Sequence, residues 1–273
     1  MLNRKENAKM KKSERQENEI MEYLRVSGKM SLADAARLLN VSESTVRRLF
    51  IRLEERGLAL RSYGGIQLSK KKSELDYSFD QLKEHHVEEK RRIAERAAQT
   101  VADGDILYMD SGTTISHVCI ALTKRFLEGS LSKIDVFTNS LINLNIMHPV
   151  SRVNLIGGEY RPNRKDFCGY LAEESVKNLF FTKCFLGADG CSIQNGFTAM
   201  DFSSARLNEE VLHRTQKCII LMDAEKFSTS AVVSYTRRRM PDCVMTDKAP
   251  PEEISSYLQE QKVNILIAGP DNP

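Results

Sequence analysis

Within the first 68 residues, three short amphipathic segments separated by polar turns precede two apolar-rich stretches joined through Gly64-Gly65, and few folds accept that order. Residues 14–26 place Ile20, Met21, Tyr23 and Leu24 at near-helical spacing, and Ser27-Gly28 ends the run. Ser31 is positioned as an N-cap with Asp34 three residues later; the apolar stripe of Leu32, Ala35, Ala36 and Leu39 then stops at Asn40. Ser42 can cap a third helix, in which Val46, Leu49, Phe50 and Leu53 fall at i, i+3, i+4 and i+7, with Gly57 at C′. Beyond it, Leu58 to Tyr63 and Ile66 to Leu68 flank Gly64-Gly65, a pair suited to the positive φ angles of a tight hairpin. The pattern predicts a winged helix-turn-helix over residues 13–69.

Charge points the same way. Residues 1–72 hold 17 Lys and Arg against 9 Asp and Glu, a net +8 in a chain whose total is +3, so the rest of the chain nets −5. A basic unit on an acidic body confines polyanion binding to the first quarter of the chain. In a helix-turn-helix the last helix enters the major groove, and its face opposite the apolar stripe presents Glu43, Ser44, Arg47 and Arg48 as base readers. Arginine can bond guanine O6 and N7 together, whereas Ser42, Thr45 and the wing residues Arg61, Tyr63, Gly64 and Gly65 are placed to hold phosphates and set register. One amphipathic helix alone would equally fit a small bundle with solvated arginines. Three helices, a glycine-turned wing and a +8 charge together predict binding to double-stranded DNA.

The remaining sequence reads as a second domain. Residues 1–12 form a basic tail expected to be disordered, Lys70-Lys71-Lys72-Ser73 opens a linker assigned to 70–80, and a charged helix is expected from about Asp80 to Val101. Apolar runs then recur between helical stretches at Ile106–Met109, Ile134–Thr138, Val153–Ile156, Cys184–Leu186, Cys218–Met222, Cys243–Thr246 and Val263–Ala268. That alternation predicts a mostly parallel, twisted, Rossmann-like α/β sheet covered on both faces, so residues 81–273 form the second domain. No run of eighteen apolar residues and no signal sequence is present, which predicts a cytoplasmic protein with no membrane partner. The six cysteines contain no C-x-x-C pair and the five histidines no H-E-x-x-H pattern, so no metal and no cofactor are expected.

A ligand site is legible in the loops after the expected strands. Asp110-Ser111-Gly112-Thr113-Thr114 follows an apolar strand and opens a helix, so its amides and hydroxyls can face an anion such as a phosphate. Thr138-Asn139-Ser140, Gly157-Gly158 and Gly187-Ala188-Asp189-Gly190 each follow a strand, at the end where open α/β sheets collect ligands. Asp110, Asn139 and Asp189 suit sugar hydroxyls, and Lys226 can neutralise phosphate or pair with a carboxylate.

The segment Val41-Ser42-Glu43-Ser44-Thr45-Val46-Arg47-Arg48 with its Gly64-Gly65 wing resembles the DeoR family of bacterial regulators of sugar metabolism. Further landmarks follow in order: Glu89 to Ala94, Asp103-Gly104-Asp105, Asp110 to Thr114, Thr138 to Ser140, Gly157-Gly158-Glu159, Gly187 to Gly190, Gly196-Phe197-Thr198 and Asp223 to Phe227. The resemblance implies a sensor domain like ribose-5-phosphate isomerase, a phosphorylated sugar as effector, repression of carbohydrate genes at operator DNA, and assembly into a homo-oligomer, dimer or tetramer. At three positions this chain departs from the family. Leu49 stands where an Asp usually follows the paired arginines, which predicts an apolar side chain near the DNA and an altered operator preference. Ser204 and Asn208 stand where a Glu and a Lys usually line the pocket, leaving open a neutral ligand, a shifted binding mode or weakened sensing. Two other functions stay open on these residues: an isomerase-like enzyme working through Asp110, Asp189 or Lys226, and an effector-independent DNA-binding regulator with a degenerate pocket.

Overall fold

The computed structural model describes residues 15–24, 27, 29–55, 58–62, 64–68 and 78–269. The expected caps at Gly28 and Gly57, the wing residue Tyr63, residues 1–12 and most of the linker lie outside the described residues. The chain divides into two compact units, Met1–Asp76 and Tyr77–Pro273.

In the first unit, α1 (residues 15–24) is followed by β1 (Lys29–Ser31), α2 (Leu32–Leu39), α3 (Glu43–Glu55), β2 (Ala59–Ser62) and β3 (Gly65–Leu68). Each apolar stripe read from the sequence turns inward: Ile20, Leu24, Ala35, Leu39, Val46, Leu49, Phe50 and Leu53 share one buried core with Met30, Ala59 and Ile66. Burying a side chain of this size contributes roughly 1.5–3 kcal/mol, which is what gives three short helices one arrangement. Ser31 caps α2, its hydroxyl accepting from the Asp34 amide at 3.1 Å and donating to the Asp34 carboxylate at 2.6 Å. Asn40 ends α2 in the left-handed region, with φ 49°, and sets the turn into α3.

The wing is wider than expected. β1 joins it, giving the antiparallel order β1-β3-β2, and the two glycines differ in their reasons. Gly64 has φ +81°, whereas Gly65 lies in β3 because a Cβ there would sit 2.4 Å from the Met30 carbonyl oxygen.

The second unit opens with α4 (Phe79–Leu82) and α5 (Val87–Ala98), two helices where the charge pattern predicts one. His86, at φ +51°, turns the chain between them, and the Lys90 ammonium donates to the carbonyls of Leu82 and His85, both at 2.5 Å. A buried amine thus satisfies carbonyls that a continuous helix would have bonded internally. Then follow β4 (Ile106–Met109), α6 (Thr113–Leu127), β5 (Asp135–Thr138), α7 (Leu141–Met147), β6 (Arg152–Leu155), the hairpin β7 (Glu159–Arg161) and β8 (Asp166–Cys168), α8 (Tyr170–Val176) and β9 (Phe181–Gly187). The chain continues through β10 (Gly190–Ser192), β11 (Gly196–Ala199), α9 (Phe202–His213), β12 (Thr215–Leu221), a 3₁₀ turn (Ala224–Lys226), β13 (Val233–Ser234), β14 (Cys243–Thr246), α10 (Glu252–Glu260) and β15 (Asn264–Ile267).

Seven strands form one parallel sheet in the order β15-β14-β12-β9-β4-β5-β6, and every one of the seven apolar runs read from the sequence supplies one of them. Side chains alternate across it. Leu107, Met109, Phe185, Ile219 and Leu221 pack with α5 and α6 on one face; Tyr108, Cys184, Leu186, Cys218 and Ile220 pack with α8, α9 and α10 on the other. The sheet is therefore buried on both sides, as expected. The short antiparallel pieces, β7 with β8 and β10-β11-β13, were not legible, because three-residue strands leave no periodicity to read. All six cysteines are free and buried. Among the described residues no helix is long and apolar enough to cross a membrane, and no group of three or more His, Cys, Asp or Glu is disposed to hold a metal ion.

Candidate functional site

Each unit carries its own candidate site. In the first, the burial of Val46, Leu49, Phe50 and Leu53 pushes the opposite face of α3 outward, so Ser42, Glu43, Ser44, Arg47 and Arg48 are exposed and Thr45 half-buried. The Ser42 hydroxyl lies 2.9 Å from that of Ser44 and 3.1 Å from that of Thr45, which gathers three hydroxyls at the start of α3. Gly64 is exposed at the turn of the wing.

One expectation changes here, and one wing residue is already engaged. Leu49 is 1% exposed and belongs to the core, so it is not an apolar side chain at the DNA face; seven residues of the helical repeat carry it to the same side as Val46, Phe50 and Leu53. Arg61 is held by Glu54, its Nε 2.5 Å from one carboxylate oxygen and its backbone amide 3.0 Å from the other. Those two donors hold the Glu54 carboxyl below its ordinary range.

In the second unit, a cavity of about 370 Å³ opens at the carboxyl ends of β4, β9 and β12. From the predicted set it is lined by Asp110, Ser111, Gly112, Thr113, Thr114, Gly187, Asp189 and Lys226. Gly112 is the N-cap of α6 and no side chain caps that helix, so its first-turn amides lack intrahelical acceptors where they meet the cavity. Asp110 accepts from the amides of Ser111 at 2.7 Å and Gly187 at 3.0 Å, tying β4 to β9 across the floor. Burial, and secondarily the Asp166 carboxylate, outweigh those donors and raise Asp110 above the usual aspartate range. Asp189 accepts from the Met200 amide at 2.9 Å, and Lys226 donates to the Ala188 carbonyl at 3.1 Å.

The other six predicted residues lie outside the cavity lining, and five of them have work elsewhere. Thr138 donates to the Met109 carbonyl at 2.6 Å, Asn139 to that of Phe167 at 2.9 Å, and Ser140 caps α7 by accepting from the Asn143 amide at 3.2 Å. Gly158 lets the chain pass Cys168, whose carbonyl oxygen would lie 2.4 Å from a Cβ, and Gly190 passes Thr229 in the same way. Gly157 meets nothing within 4 Å, and neither it nor the other five lines the cavity.

Several lining residues escaped the sequence reading. His85, His86 and Lys90 come from the α4–α5 corner, and Arg164 from the turn between β7 and β8. Lys90 left a signal: it precedes Ile93, Ala94 and Ala97 by three, four and seven residues, so it shares their buried stripe. Burial, and then Lys226 nearby, push its ammonium below the ordinary lysine range. Arg164 left none, because only the hairpin brings it to the cavity.

Beneath that rim lies a buried ionic network. Arg161 grips Asp166 with two nitrogens, at 2.7 and 2.8 Å, and Asp201 with a third at 2.9 Å; Arg164 reaches the other Asp201 oxygen at 3.1 Å. Ser111 donates to Asp166 at 2.7 Å, and Ser204 accepts from Arg161 at 3.0 Å while donating to Asp201 at 2.9 Å. Ser204, where the family resemblance leads one to expect Glu, thus joins the β7–β8 hairpin to α9 by hydrogen bonds. Burial alone would raise Asp201, but Arg161, the Ser204 amide and Arg164 hold it below the ordinary range.

Comparison with known proteins agrees across both units. Residues 15–72 match the model of the DeoR-like helix-turn-helix domain, and residues 85–248 that of the DeoR C terminal sensor domain. The HTH-type transcriptional regulator IolR of Bacillus subtilis is 27% identical, with 92% of this chain and 97% of that protein aligned. The glycerol-3-phosphate regulon repressor of Escherichia coli is 27% identical over 94% of this chain and all of its own length, and the lactose phosphotransferase system repressor of Lactococcus lactis 28% identical over 88% and 93%. Among solved structures, a D-ribose-5-phosphate isomerase in complex with phospho-erythronic acid is similar at 15% identity and a TM-score of 0.40, over 52% of this chain and 54% of that one, a likeness too loose to bear on function. The two domain models between them take in the exposed face of α3 and the cavity at the strand ends, and the chain belongs to the DeoR family of transcription regulators.

Proposed function

We propose that this chain is a repressor of carbohydrate-metabolism genes that binds duplex operator DNA through α3 and the wing and responds to a phosphorylated sugar in the cavity of its second unit. The observation that carries the sensing half is the meeting of the uncapped start of α6 with three cations, Lys90, Arg164 and Lys226, in one cavity of about 370 Å³. Amides and cations together suit a phosphate, and the acidic side chains of Asp110 and Asp189 suit hydroxyls. Repressors named for glycerol 3-phosphate and for a lactose phosphotransferase system, aligned over nearly their whole lengths, support the sugar class.

On the DNA side, Arg47 and Arg48 read bases, Glu43 and Ser44 flank them, and Ser42, Thr45 and Arg61 hold phosphates, with Tyr63, Gly64 and Gly65 at the wing. Residues 13–69 form the operator-binding domain, 70–80 the linker and 81–273 the sensing and oligomerisation domain of a cytoplasmic homo-oligomer. Two recognition helices per dimer call for paired half-sites about one helical turn, or a multiple of it, apart. A ligand that prefers one state of the oligomer shifts its population and so changes operator affinity.

Regulation fits better than turnover. The same chain carries a DeoR-like helix-turn-helix domain, for which a sugar-phosphate isomerase has no use. Genomic footprinting of bound sites, followed by anisotropy titration of a recovered fragment with and without a panel of sugar phosphates, tests the proposal. Selective binding altered by a panel member is expected; binding without sequence selectivity overturns it, and turnover of ribose 5-phosphate abolished by Asp189→Asn would make the chain an enzyme.

A further inference from the structure

The cations of the cavity fall into two groups on different elements. Lys90 of α5 and Lys226 of the turn after β12 act on each other: after burial, Lys226 is what most lowers the Lys90 ammonium, and Asp223, 3.6 Å from Lys226, offsets it. Arg164, from the β7–β8 turn, acts instead on Asp110 and sits 3.1 Å from Asp201. Its side chain is only 9% exposed yet forms cavity wall together with Ser204 and Asn208 of α9.

Ser204 and Asn208 are the positions where the family resemblance leads one to expect a Glu and a Lys. A matched pair would leave that wall neutral, with a carboxylate available to sugar hydroxyls. Here Ser204 and Asn208 bring no charge to that wall, and Arg164 supplies a planar guanidinium whose fork matches a carboxylate or phosphate. The guanidinium does not hang on a free stem: Asp201 anchors it, and Asp201 is itself fixed by Arg161 and by Ser204. Arg161 and Arg164 together balance Asp166 and Asp201, so the network brings no net negative charge to this wall.

We propose that the wall of Arg164, Ser204 and Asn208 is a second anion subsite, so that the ligand is anionic at both ends, with a carboxylate or second phosphate here and the first phosphate at Lys90, Lys226 and the start of α6. The inference rests on the sugar-phosphate reading of the same cavity and narrows it from phosphorylated sugars at large to phosphorylated sugar acids or sugar bisphosphates. A cavity of about 370 Å³ holds a ligand of that size.

Calorimetric titration of the full chain with matched probes tests it: glycerol 3-phosphate against 3-phosphoglycerate, and glucitol 6-phosphate against 6-phosphogluconate and fructose 1,6-bisphosphate. Within each pair only the far end changes from hydroxymethyl to carboxylate, and the bisphosphate separates the two anion types. The doubly anionic probe is expected to bind about tenfold tighter or more, the gain of one charge-assisted hydrogen bond. Arg164→Gln should weaken the doubly anionic probe more than the neutral-ended one, and so bring the two towards equal affinity. Because that variant also disturbs Asp201, Asn208→Asp, which places a carboxylate at another lining position, gives an independent arm and should weaken the doubly anionic probes more than the neutral-ended ones. Equal affinity within each pair, or selectivity that survives both variants, overturns the second subsite while leaving sugar-phosphate sensing intact. Failure of every probe to bind overturns both.

Discussion

The two units of this chain handle charge in opposite ways. In the helix-turn-helix unit an apolar core of Ile20, Leu24, Val46, Leu49, Phe50 and Leu53 does the folding, and Glu43, Ser44, Arg47 and Arg48, the groups proposed to meet DNA, stand in solvent above it. In the sensor unit the charged groups at and beneath the cavity are themselves interior: Lys90, Asp166, Arg164 and Asp201 are all buried, Lys90 bonded to backbone carbonyls and the other three within one network with Arg161. Function and stability are therefore separable in the first unit and entangled in the second. A substitution on the face of α3 removes a partner's contact, whereas one in the cavity wall also strands a buried charge.

The strongest way to break this comparison is to place a charge in each interior. Arg161→Ala leaves Asp166, which is fully buried, and Asp201 without their common partner, and should cost the sensor unit roughly 3–5 kcal/mol. Leu49→Asp restores the residue usual in the family at a position 1% exposed; it should cost the DNA-binding unit several kcal/mol and abolish operator binding, while Leu49→Met leaves both near the parent. Thermal denaturation followed by circular dichroism reads each. If Leu49→Asp instead kept the parental melting temperature and changed operator preference, Leu49 would belong to the reading face after all.

Arg47→Ala is the mirror experiment. An exposed arginine over an intact core should leave the melting temperature unchanged and weaken specific operator binding by roughly 1–3 kcal/mol in an anisotropy titration. A drop in stability of similar size would mean that the reading face also holds the fold, and the separation between units would fail.

How legible each unit was follows from the same difference. Amphipathic periodicity reports where aliphatic side chains go, so the helices of the first unit and the seven parallel strands of the second could be read directly. Polar interiors leave no such trace. Lys90 was legible in principle, as a lysine on the stripe of Ile93 and Ala97, but it reads as part of a solvated charged helix until the break at His86 is known. Arg164 and Asp201 lie 37 residues apart and meet only because the short β7–β8 hairpin folds back toward α9. The glycines misled for a related reason: Gly158 and Gly190 follow strands as ligand loops do, yet serve close backbone packing. Leu49 was misread because a family landmark was given priority over its own helical spacing.

Acid sharpens the contrast further. Asp201 is held below the ordinary aspartate value in the folded chain, so the folded state binds fewer protons than the unfolded one near that value. Its contribution is present above the unfolded pKa, about 3.9, and is lost as pH falls through the lowered folded value. Below about pH 4, stability should fall more steeply with acid in the parent than in Asp201→Asn, which has no such proton to take up. Melting temperatures of the two proteins between pH 2 and 6 check this, and parallel acid limbs would show that the network does not depend on Asp201 being ionised.

The smallest expected effect concerns the wing, where the first unit departs from its own rule. Arg61 is paired with Glu54, and both are partly open to solvent, so their pairing contributes little to stability. It matters for DNA, because a phosphate must compete with the Glu54 carboxylate for the same guanidinium. Glu54→Gln removes that competitor and should leave the melting temperature close to the parent's. Operator binding should tighten severalfold at low salt, and the plot of log affinity against log salt should steepen by about one, the mark of one additional phosphate contact. An unchanged slope would mean that Arg61 stays hydrogen-bonded to the side chain at position 54 or points away from DNA, and the phosphate-holding role would then fall to Ser42 and Thr45 at the start of α3.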